Sequence, residues 1–189
     1  MPPELIMLVG GNGAGKSTFY RQFLAPLNIP FVNADLIARE LWPDSPEQHS
    51  YEAAHLAERQ RTRMLEEGVS FCFETVFSHG SKVDFMAQAK LRGYRVKAIV
   101  IHLAEPNLNI LRVQQRVEEG GHAVPEEKVR QRIPRALSNI KLMVPLCDDL
   151  LIFDNGSSDH PFQLLARCKD GLWTTKGSSS PLWLRKLID

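Results

Sequence analysis

An α/β architecture is predicted, with a five-stranded parallel sheet flanked by helices in a single P-loop domain. Three observations carry this. Gly10-Gly11-Asn12-Gly13-Ala14-Gly15-Lys16-Ser17-Thr18 fits G-x-x-x-x-G-K-[ST] in full. The apolar run Leu5 to Val9 precedes it as a buried strand, and Phe19 to Leu24 follows as a helix. Further along, short strand-like runs alternate with helical ones, the pattern of β-α-β units.

The glycine-rich turn explains itself physically. Without side chains at these positions, successive backbone N–H groups can point inward at a phosphate chain. The helix that follows adds about half a positive charge at its N-terminus. Lys16 is placed to reach the β/γ-phosphates and Ser17 to ligate Mg²⁺, with Gly11, Asn12, Gly13, Ala14, Gly15 and Thr18 forming the cradle. An ordinary glycine-rich turn would not need strand, motif and helix to agree. ATP and Mg²⁺ are therefore the expected ligands.

The second strand is expected at Phe31-Val32-Asn33, followed by a short helix from Asp35 to Leu41. Ser45-Pro46-Glu47-Gln48 has the form of a capping box with proline at the first helical position, so a long polar helix is expected from there to about Glu67, stopped by Gly68. Val69 to Phe73 is the third strand, ending in Glu74-Thr75. Ser81 is the expected cap of the next helix, with Val83, Met86, Ala87 and Leu91 on its inner side and Gly93 as its stop. Tyr94 to Leu103 is the fourth strand. Pro106 opens a helix to about Glu118, with Leu108, Leu111 and Val117 expected inward. Pro125 opens another, which Pro134 is expected to break or kink before it continues to about Val144. Leu150 to Phe153 is the fifth strand. In the tail, Phe162 to Cys168 reads as an edge strand and Thr174 to Ser180 as a mobile loop, with Trp183 and Leu184 docking back or loosely held.

The 189 residues suit one domain. A net charge of +1 gives no case for nucleic acid or a membrane surface. No apolar run approaches the ~20 residues of a spanning helix. Met1-Pro2-Pro3-Glu4 lacks the basic region of a signal peptide. Cys72, Cys147 and Cys168 are odd in number and have no metal-ligand spacing, so buried thiols in a reducing cytoplasm are expected. The histidines likewise show no metal-ligand spacing.

Ligands of open α/β sheets gather at the carboxyl ends of the strands. Those ends supply Asp35, Glu74-Thr75, His102-Leu103 and Asp154-Asn155 beside the phosphate loop. Asp35 is the first choice for a base that orients an acceptor hydroxyl and takes its proton, and capping the following helix is the plainer role. Asn33 either braces Asp35, touches substrate or merely forms the turn. Glu74 and Thr75 are candidates for binding substrate hydroxyls, Glu74 also for a water on Mg²⁺, against a solvated strand end. Arg112 and Arg116 are four apart and share a helix face. With Gly120-Gly121-His122, Arg130, Arg132 and Arg135 they suit a glycine-hinged lid over a triphosphate, against ordinary surface arginines. His122 either touches phosphate or packs at the hinge. Asn155 to Ser158 is where a nucleoside monophosphate kinase-like fold would hold the adenine, or only a turn. Arg59, Arg61 and Arg63 read as a solvated helix face.

Together these residues resemble the zeta toxin-like P-loop kinase family. The resemblance rests on Gly11 to Thr18; on Phe31-Val32-Asn33-Ala34-Asp35 leading to Arg39; and on Phe71-Cys72-Phe73-Glu74-Thr75. Gly93-Tyr94, Arg112-Val113, Arg116-Val117, Gly120 to Pro125, and Arg132 with Arg135 complete it, over about residues 4 to 156. It implies a nucleoside monophosphate kinase-type fold with a lid. It also implies ATP-dependent phosphorylation of a hydroxyl of a sugar nucleotide such as UDP-N-acetylglucosamine. Lys16 would be the phosphate lysine, Asp35 the base, Glu74 and Thr75 the substrate-binding strand end, and Arg116 with Arg132 the phosphate clamp. The compact chain lacks the long substrate elements of the large toxins, and its Gly-Gly-His lid belongs to the family's short branch. With the first strand at the start of the sequence, no fused N-terminal antitoxin domain is expected, and an antitoxin would come as a separate chain or not exist. The alternatives are a kinase of another small alcohol, antibiotic or metabolite, and a nucleotide-binding regulatory protein without transfer.

Overall fold

A computed structural model describes residues 1–121, 123–176 and 180–188. At its centre is β1 (Glu4–Val9), whose five inner residues are buried. It pairs in parallel with β3 (Phe71–Thr75) on one side and β4 (Arg95–His102) on the other. β2 (Phe31–Val32) extends the sheet beyond β3, and β5 (Asp149–Asp154) extends it beyond β4, both in parallel. The chain thus runs outward from β1 in two directions. The crevice at the carboxyl end of β1 is the switch point where such sheets bind ligands.

The five parallel strands are those expected, yet the sheet has seven. β6 (Gln163–Lys169) and β7 (Leu172–Thr175) add an antiparallel hairpin, giving the order β2-β3-β1-β4-β5-β6-β7. Phe162 to Cys168 therefore does not form the edge. β7 does, and it takes up Thr174 and Thr175 from the expected loop; 177–179 lie outside the described residues.

Alternation along β1 builds two cores. Leu5, Met7 and Val9 face a large core with α3 (Ser50–Glu66), α4 (Ser81–Leu91), α6 (Glu126–Met143) and α7 (Leu182–Ile188). Ile6 and Leu8 face a smaller one with Phe19, Leu24, Cys72, Ile99 and Ile101. Leu184 is fully buried, so the tail docks back, and Trp183 rests against His102 at 4.3 Å between ring centroids. All three cysteines are buried free thiols.

Four local expectations are corrected. α3 begins at Ser50, because residues 45–49 close successive turns (Gln48 N–H to Ser45 O, Ser50 N–H to Glu47 O) instead of a capping box. Ser81 is the first residue of α4, and its N–H is accepted by His79 Nδ1. α6 runs through Pro134 unbroken, with the proline on the exposed side. α5 (Pro106–Glu118) has the expected ends but a rotated inner face. Asn109, Ile110 and Val113 are buried, while Leu111 and Val117 are exposed. α2 (Ala34–Leu41) and α1 (Lys16–Phe19) complete the set.

Candidate functional site

The phosphate loop turns between β1 and α1 through two left-handed glycines, Gly13 (φ 73°) and Gly15 (φ 99°). A Cβ on Gly13 would sit 2.4 Å from the Asn109 carbonyl oxygen, and one on Gly15 would sit 2.5 Å from Asn155 Nδ2. Glycine is required at both by conformation and by space.

Lys16 is only 6% exposed. Its Nζ donates to the Gly11 carbonyl at 3.0 Å and lies 3.6 Å from Glu74 Oε1. Ser17 Oγ donates to Glu74 Oε2 at 3.2 Å, and Asn33 Nδ2 donates to the same oxygen at 3.1 Å. Glu74, at the end of β3, thereby ties the phosphate loop to the start of α2. Asn33 is the N-cap of α2, with Oδ1 accepting from Asp35 N–H at 2.8 Å and Leu36 N–H at 3.3 Å. The capping role falls to Asn33, and the Asp35 carboxylate is exposed in the first turn, facing the cleft.

That cleft, about 1010 Å³, joins most of the expected residues. Asn12, Gly13, Gly15, Lys16, Ser17 and Thr18 line it from the phosphate loop, Asn33 and Asp35 from the start of α2, Glu74 and Thr75 from the end of β3, Arg112 and Arg116 from α5, Arg132 from α6, and Asn155 from just beyond β5. Thr75 Oγ1 accepts from Phe77 N–H at 3.0 Å. Gly11 and Ala14 lie within the loop behind that surface. Arg135, exposed on α6, is not among the lining residues. His122 lies outside the described residues. The hinge glycines have a geometric reason: Gly120 is left-handed at φ 80°, and Gly121 N–H closes on the Arg116 carbonyl at 2.7 Å.

Several lining residues were not expected. They are Tyr51, His79, Lys82, Arg21, Pro161 and Phe162, of which Phe162 N–H donates to Asn155 Oδ1. Burial lowers the Lys82 pKa, and the neighbouring Arg61 lowers it further. Arg61 itself is buried, not solvated. Its guanidinium lies 4.9 Å from the Phe73 ring centroid, and burial lowers its pKa as well. Arg59 and Arg63 remain exposed. The signal was the i, i+4 spacing of Ala53, Ala57, Arg61 and Leu65, a buried stripe with one cation in it. Burial raises the Cys72 thiol to about 12, so the cysteine nearest Glu74 is inert.

Among the described residues no cluster of three or more His, Cys, Asp or Glu could hold a metal ion, and no helix is long and apolar enough to cross a membrane.

Known proteins resemble this chain at several levels. The family model described as "Zeta toxin" matches residues 1–160. An uncharacterized protein of Haemophilus influenzae is 29% identical over 132 residues, covering 70% of this chain and 94% of that protein. Among solved structures, a chain of the AvrRxo1-ORF1:AvrRxo1-ORF2 complex with ATP superposes with a TM-score of 0.76 at 18% identity, over 98% of this chain. This chain spans 63% of that one's length. The PezAT toxin-antitoxin system of Streptococcus pneumoniae gives 0.60 at 19% identity, over 82% of this chain and 70% of that one.

Proposed function

Since the chain belongs to the zeta toxin family, we propose that its cleft is an ATP- and Mg²⁺-dependent kinase site for the hydroxyl of a small molecule, in first place a sugar nucleotide such as UDP-N-acetylglucosamine. One observation carries the reading. A single cleft is lined by the phosphate loop with Lys16, by Arg112, Arg116 and Arg132 of α5 and α6, and by an exposed aspartate at the start of α2.

The triphosphate lies along the loop, where backbone amides and the α1 N-terminus meet its charge. Lys16 leaves Glu74 for the β/γ-phosphates. Asp35 orients the acceptor hydroxyl and accepts its proton as the acceptor oxygen bonds to the γ-phosphorus and the bond to the β,γ-bridging oxygen breaks. Lys16, Arg116 and Arg132 neutralise the charge that gathers on the transferred group and the leaving diphosphate. Asn33, Glu74 and Thr75 hold the acceptor near Asp35, with Arg112 on the lid side; Arg135, outside the cleft lining, takes no part.

The donors fit Mg²⁺. Ser17 spends its proton on Glu74 and keeps lone pairs for a metal, and this ion takes few protein ligands beside phosphate oxygens. When bound it neutralises β- and γ-phosphate charge. A separate antitoxin chain is a further part of the proposal, supported by the PezAT toxin-antitoxin system, which shares the fold.

The test is incubation with ATP, Mg²⁺ and UDP-N-acetylglucosamine, followed by mass spectrometry. One added phosphoryl group on the sugar nucleotide is expected. Transfer only into other alcohols of a metabolite extract would reassign the acceptor. ATP binding without any transfer would overturn the kinase.

A further inference from the structure

α5 buries an asparagine while Leu111, expected inward, is exposed, and that asparagine touches the phosphate loop. Asn109 is 2% exposed, and its Nδ2 donates to the Asn12 carbonyl at 2.7 Å. Its Oδ1 is buried with no hydrogen-bond partner among the described residues. Reversing the amide would set two oxygens against each other at that distance, so the orientation is forced. An unmet buried acceptor is costly, which argues that the Nδ2 bond is what the position is for.

A second amide does the same on the loop's other flank. Asn155, 6% exposed, donates from Nδ2 to the Ala14 carbonyl at 2.9 Å, while its Oδ1 accepts from Phe162 N–H at 3.2 Å. In a trans peptide the C=O and the following N–H point in opposite directions. Holding the Asn12 carbonyl outward therefore turns Gly13 N–H inward, and holding the Ala14 carbonyl outward does the same for Gly15 N–H. Both glycines are left-handed and tolerate either peptide orientation, so without the two amides these planes would be free to turn.

We propose that Asn109 and Asn155 are positioning residues that fix alternate peptide planes of the loop, presenting the Gly13 and Gly15 amides to the phosphates before the nucleotide arrives. Asn109 has a second consequence. Arg112 and Arg116 stand three and seven residues beyond it, on the same face of α5. Asn12 Oδ1 also accepts from Arg132 Nη1 of α6 at 3.3 Å. Asn12 is thus the joint at which both arginine-bearing helices meet the loop. The same bond that aims Gly13 N–H sets the reach of the lid arginines.

The proposal rests on the cleft being an ATP site, and calorimetry of the wild-type chain with ATP tests that first. No binding would sink the nucleotide reading itself. Given binding, Asn109→Asp places a carboxylate oxygen where the amide donates, and Asn109→Leu removes the bond at similar volume. Affinities for ATP and ADP are expected to fall about tenfold or more in both variants, with affinity for adenosine unchanged. Asn155→Asp is expected to lower ATP and ADP affinity likewise from the other flank. Equal loss for adenosine and ATP, tracking a lowered unfolding midpoint, would make Asn109 merely structural. ATP affinity within twofold of wild type in both Asn109 variants would overturn the clamp while leaving the kinase reading intact.

Discussion

The two walls of the cleft are built by different means. The phosphate-loop side is main chain, with left-handed glycines and carbonyls held by Asn109 and Asn155. The opposite side is side chain, with Asp35 exposed on the first turn of α2 and Tyr51 74% exposed at the start of α3. Glu74 joins them through Lys16, Ser17 and Asn33. The difference teaches which wall is free to vary. A surface of backbone amides suits any triphosphate and tolerates few substitutions. A surface of exposed side chains on helix starts changes one residue at a time, and acceptor choice belongs there.

The comparison breaks most visibly at Lys16. Lys16→Ala is expected to reduce phosphoryl transfer by about a thousandfold in a coupled turnover assay, since it removes the buried cation nearest the phosphate path. A loss under tenfold would mean that the arginines alone suffice. Next is a pair of matched glycines. Gly13→Ala puts a Cβ 2.4 Å from the Asn109 carbonyl at a positive φ, and ATP affinity should fall about tenfold or more. Gly80→Ala, before α4, meets nothing within 4 Å at a negative φ and should leave ATP affinity unchanged. Tyr51→Ala sharpens the contrast from the other wall. Acceptor KM is expected to rise about threefold to tenfold, the unfolding free energy to change by less than ~0.5 kcal/mol, and ATP affinity to stay put.

The smallest effect lies behind both walls. Burial lowers the His102 pKa from its usual range to about 4, against the opposing pull of Asp154. Between pH 6.5 and about 4 the unfolded chain binds a proton at this residue that the folded chain does not. Its contribution to stability is therefore complete above pH 6.5 and is lost as pH falls toward 4. His102→Gln should flatten the unfolding midpoint over that window; an unchanged acid limb would place the titration elsewhere.

The two walls also differed in how far the residues revealed them. The motif spacing of Gly10 to Thr18 and the apolar runs located the loop and all five parallel strands, because buried parallel strands are near-continuous apolar segments. Two elements were misread where tertiary partners outrank helical pattern. α5 turns Asn109 inward because the loop offers it a carbonyl, and Leu111 is left exposed. α3 buries Arg61 because the Phe73 ring lies beneath it. The β6–β7 hairpin was only half legible: Gln163 to Lys169 contains the apolar run Leu164 to Ala166, which reads as a strand, but Leu172–Thr175 is a four-residue edge strand with no buried residue. Asp35 was found by its place at a strand's carboxyl end, while Tyr51, His79 and Lys82 reach the cleft only through the packing of α3 and α4.

The most direct test is Asp35→Asn, with ATP binding and phosphoryl transfer measured separately on the same preparation. Wild-type ATP affinity with transfer reduced about a hundredfold to ten-thousandfold is the expected result, since the carboxylate stands on the acceptor wall and acts only on the incoming hydroxyl. Transfer at the wild-type rate would contradict the account, and so would a loss of ATP binding.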